Sequence, residues 1–367
     1  VTTEQRQLQT RRRIPRIALA PQPRTPLQSL LIRLGAVVLA LALAAVFLML
    51  TGKDPARVFI TMWKGAFGSK FGFAETLVRT TPLVLCGLGV ALASRMQLWN
   101  VGAEGQFHMG AMAASGIALA FPGLPAYLLL PLMMLAGAVA GGLWGLLPGI
   151  ARAYNGTSEI ITTLMLNYVA INWITYMVYG PWRDPKGFNF PYSPPFSDSA
   201  ALPVLWGRVH IGLIIALISA LVLWWVLWRT RWGYEIRVIG ESPSAARYAK
   251  MSIARNILIV MFTAGGLAGV AGMMEVSGLI HRLQRDISPG YGYTAIIIAY
   301  LARLNPTALV VVSFLFGGLQ VGGFSVQSMG IPLATVYMIQ GIILFSLLGA
   351  DVLTRNRIAL FWRGEVA

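Results

Sequence analysis

Between Leu98 and Ala114 the chain reads LWNVGAEGQFHMGAMAA, with Asn100, Glu104, Gln106 and His108 gathered beside Gly102 and Gly105 at the edge of an apolar run. Such side chains can hydrogen-bond a polar ligand, and ionisable groups at membrane depth are costly enough that they mark a pathway or binding site by default. The glycines let the backbone bend, which can present peptide groups and a helix N-terminus to a ligand. A competing reading makes Glu104 an interfacial carboxylate capping its own helix, where the macrodipole favours negative charge. A second stretch, near 159–180, mixes Asn167, Tyr168, Asn172, Trp173 and Tyr176 into apolar sequence. Amides beside flat rings suit a ligand such as a nucleoside, but polar residues also bind transmembrane helices to one another, and both readings stand. Gln320, Gln327 and Gln340 carry the same two readings, and Tyr291 and Tyr293 are either ligand-facing or part of an interfacial aromatic belt.

A third stretch, GESPSAARYAKMSI from Gly240 to Ile253, is polar and basic between two long apolar runs. Ser242 can cap a helix and Pro243 fits its first position, giving a helix with Ala245, Ala246, Tyr248 and Ala249 on a compact face flanked by Arg247 and Lys250. Small side chains allow close approach, so the helix suits a groove of another protein; a solvated connector or a headgroup-binding helix is the alternative.

Several chemistries are excluded by pattern. Gly52-Lys53 is followed by Asp54 and no G-x-x-x-x-G-K-[ST] loop occurs, so this chain does not bind ATP by that route. His108, His210 and His281 have no paired-ligand spacing, which argues against a metal site. The stretch GTSEI at Gly156 lacks the second glycine of a nucleophile elbow. The single cysteine, Cys86, lies in an apolar run and leaves no intramolecular disulfide.

The elements that must position these residues are helices in a membrane. Of 367 residues, 56% are hydrophobic and 11% charged, against about 25% charged in a soluble domain; mean hydropathy is +0.67. With a ruler of about 20 apolar residues per crossing, ten candidate spans lie near 34–51, 76–94, 103–121, 125–149, 159–180, 209–228, 256–278, 292–302, 306–327 and 333–352. The eighth is too short to cross alone and predicts a broken or re-entrant element, the kind that lines pathways in transporters. The expected fold is an all-α polytopic transmembrane bundle, with short or broken helices and a pseudo-repeat of two halves in layout. Around the membrane domain at 34–353 we expect a basic cytoplasmic arm at 1–33, an external loop at 181–207, a cytoplasmic loop at 229–255 and a cytoplasmic tail at 354–367. The arm, with Arg11, Arg12, Arg13, Arg16, Arg24 and Arg33, reads as leading into an uncleaved first span. The net charge of +16 follows orientation rather than nucleic acid: with a cytoplasmic N-terminus, nineteen of the 29 basic residues fall on that side.

Gly240–Ile253 resembles the coupling loop of bacterial ABC-importer permeases in the group serving branched-chain amino acids, ribose-type sugars and nucleosides, with Lys250 and Met251 where a glycine is more usual. Leu98–Ala114 and GYGYTAIIIAYLARLNP, Gly290–Pro306, agree with it, the first being most similar to nucleoside-type permeases. The resemblance covers about residues 30–355. It implies a multi-pass permease of the bacterial inner membrane with no catalysis or cofactor of its own, ATP and Mg being held by a partner ATPase. A periplasmic or lipid-anchored binding protein would deliver the solute, a nucleoside or related sugar-containing molecule. A second permease, homologous or identical, would complete the pore. Coupling would fall to Glu241, Ser242, Pro243, Ala245, Ala246, Arg247 and Tyr248, and the pathway to Asn100, Glu104, Gln106, Asn167, Tyr168 and Trp173. The alternative is a secondary transporter driven by an ion gradient, using Glu104, Glu159 or Glu275 as proton or cation sites. A multipass membrane enzyme would need a convergent catalytic constellation, and the sequence shows none.

Overall fold

The structure is a computed structural model that describes residues 16–21, 25–188 and 190–361. Thirteen α-helices and four short strands are found among them. In chain order they are β1 (Arg16–Pro21), α1 (Pro26–Leu50), α2 (Pro55–Phe67), α3 (Lys70–Arg95), α4 (Ala103–Ala120), α5 (Ala126–Asn155), α6 (Glu159–Tyr179), β2 (Val204–Trp206), β3 (Val209–His210), α7 (Gly212–Arg229), α8 (Arg231–Glu241), α9 (Pro243–Tyr248), α10 (Ile253–Glu275), α11 (Tyr291–Leu301), α12 (Pro306–Gln327), α13 (Leu333–Arg355) and β4 (Asn356–Phe361).

Each apolar run read from the sequence coincides with a helix, and among the described residues length and composition establish only some of the ten as crossings. Among the described residues six helices are long and apolar enough to span: α3, α5, α6, α7, α10 with its terminal π-helical turn, and α12. The pair α1 and α2, bent by 117°, counts as a seventh only as one broken span. α4 has 18 residues but carries Glu104, Gln106 and His108, and the 11 residues of α11 reach about 16 Å at 1.5 Å per residue, half of a hydrocarbon core. The polar residues that suggested a site are thus the reason α4 fails as an apolar span.

Two compact units are present, residues 1–58 with 332–367 and residues 59–331, and neither follows the two halves of the sequence layout. In the first, α1 opens with a capping box: the Gln28 N–H donates to Thr25 Oγ1 (3.3 Å) and the Thr25 N–H to Gln28 Oε1 (3.2 Å). α1 packs on α13, and β1 pairs antiparallel with β4, Arg16 opposite Phe361. The expected boundaries at 33 and 354 therefore fall inside α1 and α13. Arg11, Arg12, Arg13 and Arg24 of the arm and Arg363 of the tail lie outside the described residues.

The second unit is built around α5 and α10, which meet backbone to backbone. Gly141 packs on the Gly265 carbonyl and Gly269 on the Gly137 carbonyl, so closely that a β-carbon at either position would overlap its neighbour. On its other side α10 receives α4 in the same way, Gly272 lying against the Phe107 carbonyl. Water-driven burial is absent between helices in lipid, and close van der Waals approach through small residues takes its place. At one end of the bundle sit α8 and α9; at the other lies the loop after α6. Described residues of that loop are tied to the chain near 277–283: the Ser193 N–H donates to the Leu283 carbonyl (2.9 Å), the Leu283 N–H returns to Ser193 Oγ (2.8 Å), and the Leu202 N–H donates to the Ser277 carbonyl (3.0 Å). The loop closes in the small hairpin of β2 and β3.

His210, in that hairpin, is buried, with Nδ1 accepting from the Gly212 N–H at 3.2 Å. Burial, and secondarily His281, push its imidazole down to about 4. The folded chain therefore keeps His210 neutral, whereas an unfolded imidazole protonates near 6.5. Above that pH neither state is charged and nothing is lost. As pH falls from about 6.5 towards 4 only the unfolded state gains the proton, so the fold weakens. Fluorescence-detected thermal midpoints in detergent should drop over that window, and the drop should shrink in His210→Gln. Parallel curves for the two proteins would refute the assignment.

Candidate functional site

Four of the sequence-predicted pathway residues converge. Asn100, Glu104, Gln106 and Asn167 are each at most 3% exposed. They hold together residues 96–102, α4, α6 and α11. The Asn100 and Gln106 side-chain amides pair reciprocally, at 3.0 and 3.1 Å, and Asn100 Oδ1 also accepts from the Gly102 N–H (3.1 Å). Asn167 Oδ1 accepts from the Gly105 N–H (2.8 Å), while its Nδ2 donates to the Val101 carbonyl (2.9 Å) and to the Tyr293 hydroxyl (3.3 Å). Glu104 Oε2 accepts from the Gly292 N–H (2.7 Å) in the first turn of α11. The carboxylate thus caps a helix, but not its own: it neutralises the dipole of a half-length helix that begins inside the bundle. His108 Nδ1 meets the Glu104 carbonyl at 2.7 Å. In this conformation these residues bond one another, as a polar knot rather than an open lining.

The opposite side of α6 is open. Its residues Glu159, Thr163, Asn167, Ala170, Ile174 and Val178 are buried, whereas Tyr168 is 57% and Tyr176 66% exposed. Asn172 and Trp173 share that open face, and Trp173 also packs edge-on against Trp144 at 6.0 Å. They share that surface with the exposed apolar Ile161, Met165 and Val169, and the Asn172 amide donates to the Tyr168 carbonyl (2.9 Å). Tyr168 and Trp173 are therefore separated from the four buried residues with which the sequence grouped them.

A charged cluster escaped the sequence reading. Arg79 Nη1 lies 3.3 Å from Glu275 Oε1 and donates to the Tyr291 hydroxyl, which itself reaches Glu275 at 3.4 Å. One turn earlier on α3, Glu75 pairs with Arg208 at 2.8 Å. Glu75 and Arg79 line a cleft of about 370 Å³ with Phe71 and Phe324, and the Arg79 guanidinium sits 5.5 Å from the Phe324 ring. The signal that could have found Arg79 is its distance from the span end: α3 begins at Lys70, not near 76, placing Arg79 well inside. All three carboxylates considered as ion sites are engaged, Glu104 as above, Glu275 by Arg79, and Glu159 by Arg152 (3.3 Å) and the Trp99 N–H (3.3 Å).

At the other end, α9 is capped as its sequence suggests, the Ala245 N–H donating to Ser242 Oγ at 3.3 Å with Pro243 in the first turn. Its faces are divided differently. Ala246 is fully buried against the chain itself, and Tyr248 is 93% exposed. Glu241, Pro243, Ala245 and Arg247 are exposed and Ser242 half-buried. Ala246 is thus withdrawn from the surface that α9 offers, as part of the buried core.

The family described as branched-chain amino acid transport system / permease component matches residues 72–348. The glucose ABC transporter permease protein TsgB13 of Haloferax volcanii is 38% identical over 337 residues, covering 88% of each chain. The guanosine ABC transporter permease protein NupP of Bacillus subtilis is 35% identical, covering 87% of this chain and 92% of NupP. A second guanosine permease protein of Bacillus subtilis, NupQ, is 25% identical over 66% of this chain and 78% of its own.

Proposed function

Because the chain belongs to the branched-chain amino acid transport system / permease component family, we propose that it forms the membrane pathway of an ATP-driven importer for a nucleoside or a related sugar-containing solute. It is the permease subunit of an ABC transporter, a multi-pass membrane protein. The work of ATP hydrolysis belongs to a separate ATPase, bound with its ATP and Mg at α8 and α9. That end faces the cytoplasm of a bacterial inner membrane, and a solute-binding protein docks at the end carrying the 181–207 loop. The solute reading is supported by NupP, whose name specifies guanosine, and by the mixture of amide and aromatic groups on α6.

The observation that carries the reading is the two-faced α6, one face bonded into the subunit and the other open, with Tyr168, Asn172, Trp173 and Tyr176 set among the apolar Ile161, Met165 and Val169. Such a mixed face supports a second subunit across from it. NupP and NupQ are two guanosine permease proteins of one organism, and this chain is nearer to one than to the other. That pattern supports a homologous partner over a second copy.

ATP acts only if it binds the two permease conformations, through the ATPases, with different affinity. Uptake of radiolabelled nucleoside into sealed vesicles containing the complex should therefore collapse without ATP and be indifferent to dissipated ion gradients. The reverse dependence would establish the gradient-driven alternative, against which the engaged states of Glu104, Glu159 and Glu275 already count.

A further inference from the structure

We propose that residues 96–102, the connector between α3 and α4, transmit the movement of the docked ATPase to α6, with Trp99 and Glu159 as positioning residues. The inference rests on the permease reading above and assigns that function a route within the subunit.

The connector touches the ATPase-facing loop at its start. Gly240, at the end of α8, lies so close to the Arg95 carbonyl and the Met96 Cα that even a β-carbon would not fit. Arg95 stacks over the Trp228 ring at 5.4 Å, and Arg237 of α8 lies over the same ring at 4.9 Å. The Arg95 guanidinium also donates to the Leu304 carbonyl, beyond α11, at 3.1 Å. Movement of α8 therefore cannot leave Arg95 and Met96 behind, since close-packed backbone has no slack to absorb it.

The far end of the connector holds α6. The Trp99 N–H donates to Glu159 and the Val101 carbonyl accepts from Asn167. Gly102 sits against Thr163, where a β-carbon would meet the Thr163 side chain at 2.9 Å. Glu159, Thr163 and Asn167 are four residues apart and form one stripe, the buried back of the helix whose front carries Tyr168, Asn172 and Tyr176. The Trp99 ring stacks on Tyr300 of α11 at 5.2 Å, steadying the middle of the connector. Seven residues thus bridge the surface that an ATPase would grip and the back of the helix that would face the solute. An alternative route through α7 reaches α8 but makes no such series of bonds to α6.

The test uses the complete complex, permease with ATPase and binding protein, in proteoliposomes, and reads ATP hydrolysis and nucleoside uptake from the same samples. Trp99→Ala removes the stack, Glu159→Gln keeps the shape and weakens the tie to the Trp99 N–H, and Trp99→Phe should restore function. We expect ATP hydrolysis and ATPase co-purification near wild type, while solute moved per ATP falls about tenfold in Trp99→Ala and severalfold in Glu159→Gln. Unchanged uptake in both variants overturns the proposal, as does a proportionate fall of hydrolysis and uptake. If Trp99→Ala fails to fold, Glu159→Gln decides by the same ratio, set against Arg152→Gln, which breaks only the Arg152 pair of Glu159 and should leave the ratio near wild type. A wild-type complex without ATP-dependent uptake overturns the importer reading itself and the route with it.

Discussion

Tyr248→Ala should detach the ATPase from this subunit and abolish ATP-dependent uptake while leaving the fold intact. The ring is 93% exposed, so its loss removes almost no contact within the chain. Exposed aromatics on a short rigid helix make the usual anchors of an interface, and deleting one costs about 2 kcal/mol or more of binding, roughly thirtyfold in affinity. Ala245→Glu, on the same exposed surface, should act in the same direction through bulk and charge. Ala246→Glu is the contrasting case. Ala246 is completely buried, so a carboxylate there is forced into the chain's own core and the loop should fail to fold. Co-purification in mild detergent followed by thermal melts separates the two classes. Retention of the ATPase by both Tyr248→Ala and Ala245→Glu, with normal uptake, would remove α9 from the docking surface.

The contrast within α9 shows where sequence is informative and where it is not. A serine followed by proline sets the start of a helix by local chemistry, and the structure forms that cap. Which face of a six-residue helix turns inward is decided by what lies underneath, here the core and the adjoining α8, and so short a segment has no periodicity to reveal it. Long apolar runs are legible because lipid demands them at a set length. α2 and α8 are illegible by the same criterion, since short amphipathic helices with charged residues fall below it. The polar knot is half legible. Asn100, Glu104 and Gln106 are visible as costly groups close together in sequence, but the Gly292 N–H that Glu104 accepts lies 188 positions away, and Asn167, which ties down the neighbouring Gly105, lies 62 positions from it. Without those partners, groups that satisfy one another look the same as groups awaiting a ligand. The two faces of α6 are illegible for a related reason: Asn167 and Tyr168 are adjacent in sequence and therefore about 100° apart around the helix.

Arg79→Met should be the most destabilising single change among the polar residues described above, costing about 3–5 kcal/mol. Glu275 is 3% exposed and the Arg79 side chain 19%, so removing the guanidinium leaves a buried carboxylate with only the 3.4 Å contact from Tyr291. The penalty is the desolvation of an unpaired charge, not the worth of the pair. Arg79→Met combined with Glu275→Met should therefore recover most of the lost stability, since two apolar side chains need no partner. Glu75 and Arg208 offer an internal comparison: Arg208 is 49% exposed, and breaking that pair should cost under about 1 kcal/mol because water screens it. Denaturation in detergent, followed by tryptophan fluorescence, measures all four proteins. A double variant no more stable than Arg79→Met would mean that the cluster acts through geometry, by fixing Tyr291 at the start of α11. Glu104 holds the next residue, Gly292, from the opposite side. The half-length helix would then be clamped between α4 and the α3–α10 ion pair, and uptake rather than stability would be the quantity that Glu275 controls.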